Sequence, residues 1–88
     1  MPIYFTDEAT EELKTFFKDF KTLSKIYKLL DDIQRNGPLK GAGQPEALKN
    51  DLSGLYSRQI DSKNRLVYKI ADDNTVMIFK CAGHYNDK

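Results

Sequence analysis

Tryptophan is absent from this 88-residue chain, and cysteine and histidine occur once each, as Cys81 and His84. A lone cysteine excludes an internal disulfide. One cysteine with one histidine also falls short of the three or four ligands of a zinc site, so neither a metal nor another cofactor is expected. No apolar run approaches the ~18 residues needed to cross a bilayer. The opening Met1-Pro2-Ile3-Tyr4-Phe5-Thr6-Asp7 lacks a basic region followed by an apolar stretch, so the protein is expected in the cytosol and away from membranes. Prolines number only three, and with 40% hydrophobic and 31% charged residues the composition is that of an ordinary globular domain rather than a disordered chain. The length suits one domain, residues 1–88, with a single modest core. A formal net charge of +1 excludes a globally basic nucleic-acid binder. Between residues 37 and 69, however, Lys40, Lys49, Arg58, Lys63, Arg65 and Lys69 outnumber Glu46, Asp51 and Asp61, which leaves a local positive surface open.

What is present orders itself by period. Pro2-Ile3-Tyr4-Phe5 reads as a short strand. Thr6 follows as a helix N-cap, with Asp7, Glu8, Glu11 and Glu12 near the positive end of the helix dipole. Ala9, Leu13, Phe16, Phe17 and Phe20 share one face at a 3.6-residue period and are expected in the core. Leu23, Ile26, Tyr27, Leu30 and Ile33 repeat the pattern until Asn36-Gly37-Pro38 stops it, so two helices forming a hairpin are expected. The stretch from Gly37 to Gly54 is Gly- and Pro-rich, with one helical turn expected around Pro45-Glu46-Ala47-Leu48-Lys49. A connection this long in a small domain is where function is sought first.

After Gly54 the period becomes two. Leu55 to Ile60, Arg65 to Ile70 and Thr75 to Cys81 read as strands of an antiparallel meander, with turns at 61–64 and 71–74. Symmetric closure of those turns places Ile60 opposite Arg65, Arg58 opposite Val67, Leu66 opposite Phe79 and Arg65 opposite Lys80. Leu55, Leu66, Tyr68, Ile70, Met77, Phe79 and Cys81 then form the face that the helices cover. Arg58, Arg65, Lys69 and Lys80 gather on the other face, and continued alternation brings His84 to it. The fold expected is α+β, a helix hairpin packed on a twisted antiparallel sheet.

Singly, His84 reads as a tail histidine, Glu46 as a solvated loop carboxylate, and Arg58 and Arg65 as surface charges. Together they are the parts for acid–base cleavage of an RNA phosphodiester, where the substrate brings its own 2′-OH nucleophile. A base must take that proton, an acid must protonate the departing 5′-oxygen, and fixed positive charge must stabilise the transition state. Glu46, His84 and Arg65 fit those tasks, arginine because its planar fork pairs two phosphate oxygens and stays protonated. Of the aromatics, Tyr56 and Tyr85 are the candidates for stacking on a base. The phenylalanines read as core, Tyr4, Tyr27 and Tyr68 as half-buried, and Cys81 as a small buried hydrophobe.

The run from Gly41 to Gly54 (GAGQPEALKNDLSG), then Tyr56-Ser57-Arg58-Gln59-Ile60, Arg65-Leu66-Val67-Tyr68 and His84-Tyr85, closely resembles the YoeB (Txe) toxins of the RelE/ParE superfamily. The resemblance implies a bacterial toxin-component endoribonuclease that cuts mRNA in the ribosomal A site and so inhibits translation. It implies a YefM-type antitoxin that holds the toxin inactive, a homodimer, and operator DNA bound only through the antitoxin complex. By motif position Glu46 matches the general base, Arg65 the phosphate-stabilising arginine, His84 the general acid and Tyr85 a further active-site residue. Lys49, Arg58 and Tyr56 match positions lining the RNA groove. The chain departs from the family pattern in having Tyr56 for a tryptophan and Gln59 and Ala82 for basic residues. It also runs on past Tyr85 as Asn86-Asp87-Lys88, so a terminal carboxylate beside the tyrosine is not expected. The rival reading is a non-catalytic ParE-like toxin or binding module, which would lack the acid–base set.

Overall fold

The computed structural model describes residues 1–85; Asn86, Asp87 and Lys88, and with them the expectation about the chain beyond Tyr85, lie outside the described residues. The extended start forms β1 (Ile3–Phe5), and Thr6 caps α1 (Asp7–Lys14) by accepting from the Ala9 amide at 3.2 Å. The helix stops early. The amides of Thr15, Phe16 and Phe17 reach back only three residues, to the carbonyls of Glu12, Leu13 and Lys14. Asp19 then opens α2 (Phe20–Asn36), accepting from the Thr22 amide at 3.1 Å and the Thr22 hydroxyl at 2.7 Å. A cap resets the helical phase. Ala9 is buried, with Leu13 and Phe16 packed on the core, but Phe17 and Phe20 are 61% and 84% exposed rather than internal.

Along α2 the buried residues are Ile26, Leu29, Leu30 and Ile33, whose burial contributes about 1.5–3 kcal/mol each. Leu29 was not in the expected stripe, and Tyr27, which was, is 77% exposed. Gly37 ends the helix at a φ of +85°, its N–H bonding the Ile33 carbonyl at 2.9 Å.

The remaining strands are β2 (Glu46–Ala47), β3 (Tyr56–Gln59), β4 (Arg65–Ile70) and β5 (Val76–Lys80), in the order β1-β5-β4-β3-β2. The meander is antiparallel as expected, but β1 joins the free edge of β5 in parallel, so the sheet is mixed. The helical turn expected over 45–49 is instead strand β2, paired to β3, followed by a single 3₁₀ turn at Asn50–Leu52.

Both hairpin turns take one residue more than symmetric closure assumed. Ile60 and Asp61 amides both bond the Asn64 carbonyl, so the last β3–β4 pair is Gln59 with Arg65. Across the second turn, Ala71 bonds Thr75, Asn74 sits at φ +67°, and Ile70 pairs Val76. A bulge follows: Tyr68 pairs Ile78 but Val67 pairs Lys80, leaving Phe79 as the extra residue. A one-residue slip moves every side chain to the other face. The helix-covered face therefore carries Leu66 and Tyr68 with Val76 and Ile78, rather than Met77 and Phe79; Ile60 and Cys81 complete it. Tyr68 is wholly buried, against the half-buried state expected of it, whereas Tyr4 is half-buried as expected.

Candidate active site

The slip decides where the candidate residues stand. Arg58 pairs with Leu66, not Val67, and so faces the helices. Its side chain is wholly buried, and all five guanidinium N–H groups are satisfied inside the protein. Nε donates to the Tyr68 hydroxyl at 2.9 Å, and one terminal nitrogen donates to the Asp32 carboxylate and to the Ala42 carbonyl at 3.0 Å. The other donates to the carbonyls of Gly37 at 2.9 Å and Lys40 at 2.7 Å. The Tyr68 hydroxyl in turn donates a hydrogen bond to the Pro38 carbonyl at 2.6 Å. Arg58 is thus the post to which the glycine-rich loop is tied, and its expected place in an RNA groove is corrected. Tyr56, on the same face, packs on Tyr68 with ring centroids 5.8 Å apart and is likewise no platform for a base.

Charge in this post is balanced by Asp32. The hydrogen bond from Arg58 holds the Asp32 carboxyl below the usual carboxylate range, against the opposing effect of burial. Burial raises the Tyr68 hydroxyl, which keeps it a neutral donor. Gly41 passes so close that a Cβ on it would stand 1.8 Å from Asp32 Oδ2, and its φ of +112° also requires glycine.

The loop secured this way delivers Glu46 to the opposite face. Glu46 pairs with Ser57, and Ser57 with Val67, so these three align across β2, β3 and β4. The next row on that face is Gln59 with Arg65. Standard strand spacing puts the Glu46 and Arg65 backbones about 12 Å apart, a gap the two side chains can close on one phosphate. The Tyr85 hydroxyl donates to Glu46 Oε1 at 2.5 Å and accepts from Ser57 Oγ at 3.1 Å. Arg65 is anchored through Nη1, which donates to the carbonyls of Asp61 at 2.6 Å and Asn64 at 3.2 Å.

The segment carrying His84 and Tyr85 lies against the start of β4. Arg65 N–H donates to the Gly83 carbonyl at 3.0 Å, and Gly83 N–H to Asn64 Oδ1 at 2.8 Å. His84 is exposed, between a residue tied to Arg65 and a residue tied to Glu46. Lys49 is exposed three residues beyond Glu46. Glu46 and Tyr85 therefore meet directly, Arg65 and His84 are neighbours through Gly83, and Arg58 and Tyr56 belong to the other face. Sequence reasoning missed Ser57 and Asn64. Ser57 had a signal, since it alternates with Arg58 and must take whichever face Arg58 does not.

Two helices on one face of a mixed sheet, with a carboxylate, a phenol and an arginine on the other, define a small α+β toxin of the RelE-like type. Residues 5–85 match the family described as YoeB-like toxin of bacterial type II toxin–antitoxin system. "Toxin YoeB" of Streptomyces coelicolor is 46% identical over 79 residues, 89% of this chain and 93% of the relative. Among solved structures, the toxin chain in a heterotetrameric YoeB–YefM complex from Staphylococcus aureus superposes with a TM-score of 0.89 at 45% identity, covering 97% of this chain and 98% of that one. A YoeB dimer from the same species gives 0.88 at 46% identity, with the same coverage. The chain belongs to the YoeB-like toxins.

Proposed function

We propose that this toxin is an mRNA endoribonuclease acting in the ribosomal A site, and that the observation carrying the reading is the Tyr85–Glu46 contact on the face that also carries Arg65, with His84 next to Tyr85 in the chain. Glu46 takes the proton of the 2′-OH, and the 2′-oxygen attacks the adjacent phosphorus. The bond from phosphorus to the 5′-oxygen breaks, and His84, as the general acid, supplies the proton that the leaving oxygen needs. A 2′,3′-cyclic phosphate and a 5′-hydroxyl result. Arg65 stabilises the negative charge that grows on the phosphate oxygens, an effect typically worth ~3 kcal/mol. Tyr85 orients the Glu46 carboxylate, and Lys49 contacts the RNA backbone.

A YefM-type antitoxin as the inhibiting partner is supported by the complex of the Staphylococcus aureus relative, and a homodimer by that relative's dimer. Operator DNA would be reached only through the antitoxin. Expressing the chain alone and with its genomic neighbour, then mapping mRNA 5′ ends, tests the proposal. Expected are breaks within A-site codons that vanish on co-expression. Growth arrest with intact mRNA would favour a ParE-like toxin that acts by binding alone.

A further inference from the structure

β5 ends at Lys80, and beyond it the Cys81 and Ala82 amides have left the ladder with β4. Such donors must be satisfied elsewhere. Both bond one oxygen, Glu12 Oε1, at 2.7 and 3.1 Å, while Glu12 Oε2 receives Lys80 Nζ at 3.2 Å. Glu12 belongs to α1, at the far end of the sequence, where its charge reads only as a complement to the helix dipole. On the other side the same segment is pinned to β4 through Gly83, which turns between the two attachments at a φ of +74°. His84 and Tyr85 follow at once.

We propose that Glu12 is a positioning residue of the cleavage site: by holding the Cys81 and Ala82 amides from the helix layer, it aims the segment that carries His84 and Tyr85 at Glu46 and Arg65. The role rests on the cleavage reading above. A carboxylate suits the task because one oxygen can accept two successive amides through charge-assisted bonds while the other is steadied by an ammonium. The side chain is only about a quarter exposed, so water substitutes poorly for it. With Glu12 removed the two amides lose their acceptor, and on the helix side only the buried Cys81 side chain, donating to the Ala9 carbonyl at 3.6 Å, still holds the segment. A shift of 1 Å breaks a contact as short as that between Tyr85 and Glu46, and displacement on that scale costs about a hundredfold in rate.

The test compares Glu12→Ala, Lys80→Met and the double variant Glu12→Gln/Lys80→Met. Three quantities are read: single-turnover cleavage on mRNA-programmed ribosomes, ribosome affinity, and the 13Cζ resonance of Tyr85. Glu12→Ala is expected to cut about a hundredfold more slowly at unchanged affinity, with the Tyr85 resonance moved toward that of an unbonded phenol. The double variant keeps an amide oxygen for the two N–H groups and leaves no unpaired ammonium, so it should recover both rate and resonance. Wild-type rate and resonance in Glu12→Ala would overturn the proposal. If the wild-type protein itself leaves RNA uncut, the cleavage reading fails, and the resonance still decides whether Glu12 places Tyr85. Should Glu12→Ala not fold, hydrogen exchange on the wild type decides. Cys81 and Ala82 amides exchanging as slowly as that of Arg65 support the clamp, and open-chain rates overturn it.

Discussion

The guanidinium of Arg58 lies buried against the Asp32 carboxylate, joining β3 to α2 and gathering four carbonyls of the loop that leads to Glu46. Three of those carbonyls bond Arg58 itself, and Pro38 is reached through Tyr68. The loop is therefore shaped by a residue of the helix-covered face, although the carboxylate it delivers stands on the other.

Arg58 and Arg65 should separate cleanly by mutation. Arg58 is wholly buried although Asp32 is 22% exposed, and its loss strips the donor from Tyr68 and from three loop carbonyls, so Arg58→Ala is expected to lower the unfolding free energy by about 3 kcal/mol, the low end of the range for breaking a buried pair. Arg58→Lys should recover little, because an ammonium cannot supply five donors in a fork. Arg65→Ala, by contrast, should leave stability within about 1 kcal/mol and reduce single-turnover cleavage about a hundredfold or more. Denaturant unfolding and cleavage measured on the same preparations would reverse these roles if Arg58→Ala stayed fully stable while losing activity.

Acid should loosen this same post. Asp32 titrates below its ordinary value because Arg58 bonds its ionised form. A carboxyl lowered on folding contributes stability that is fully present above its unfolded pKa, ~3.9, and is lost as pH falls through the lower folded value. Asp19, Asp61 and Asp73 are also lowered, so the wild-type slope alone is not diagnostic. The expectation concerns the difference from Asp32→Asn: the gap in unfolding free energy between the two proteins should narrow as pH drops from 5 toward 2. A gap that stayed constant would show that Asp32 does not titrate with folding.

His84→Gln and Glu46→Gln separate chemistry from occupation. Loss of one proton-transfer partner typically costs two to four decades, so both variants should cut RNA about 10²–10⁴-fold more slowly while binding ribosomes nearly as well as wild type. Toxicity should fall with cleavage. Toxicity that persisted without cut RNA would mark a protein acting by binding alone.

Cys81 should be inert in the native protein. Its thiol is wholly buried, donates to the Ala9 carbonyl at 3.6 Å, and is pushed up to about 12 by burial and then by the Glu12 charge. Since the thiolate is the reacting species, alkylation at pH 8 should proceed only through unfolding, with a rate that follows denaturant concentration. Prompt labelling of the folded protein would contradict this burial.

Much of the fold was legible because it is local. Thr6 caps a helix since its hydroxyl reaches an amide three residues on, Gly37 stops one since it tolerates a positive φ, and β4 has the bounds its alternation suggests. Phe17 and Phe20 misled because their spacing continues a helical stripe across a break. The break is made by Asp19 binding Thr22, and a periodicity count does not register it.

By itself the sequence determined the two helices, the strands after Gly54 and their order, and which residues could serve acid–base chemistry, since those depend on short-range propensity and on the chemistry of each side chain; the pairing that makes β2 of Glu46–Ala47 is not local and was missed. The faces were decided by tertiary structure. One extra residue in each hairpin turn, and a bulge at Phe79, change which side chains share a surface, because register is a property of strand pairs and a slip of one inverts every position. That slip took Arg58 and Tyr56 out of the candidate groove and set Ser57 beside Tyr85. It also left the long-range partners, Arg58 with Asp32 and Glu12 with the amides after β5, to be found only where the folded chain brings distant segments together.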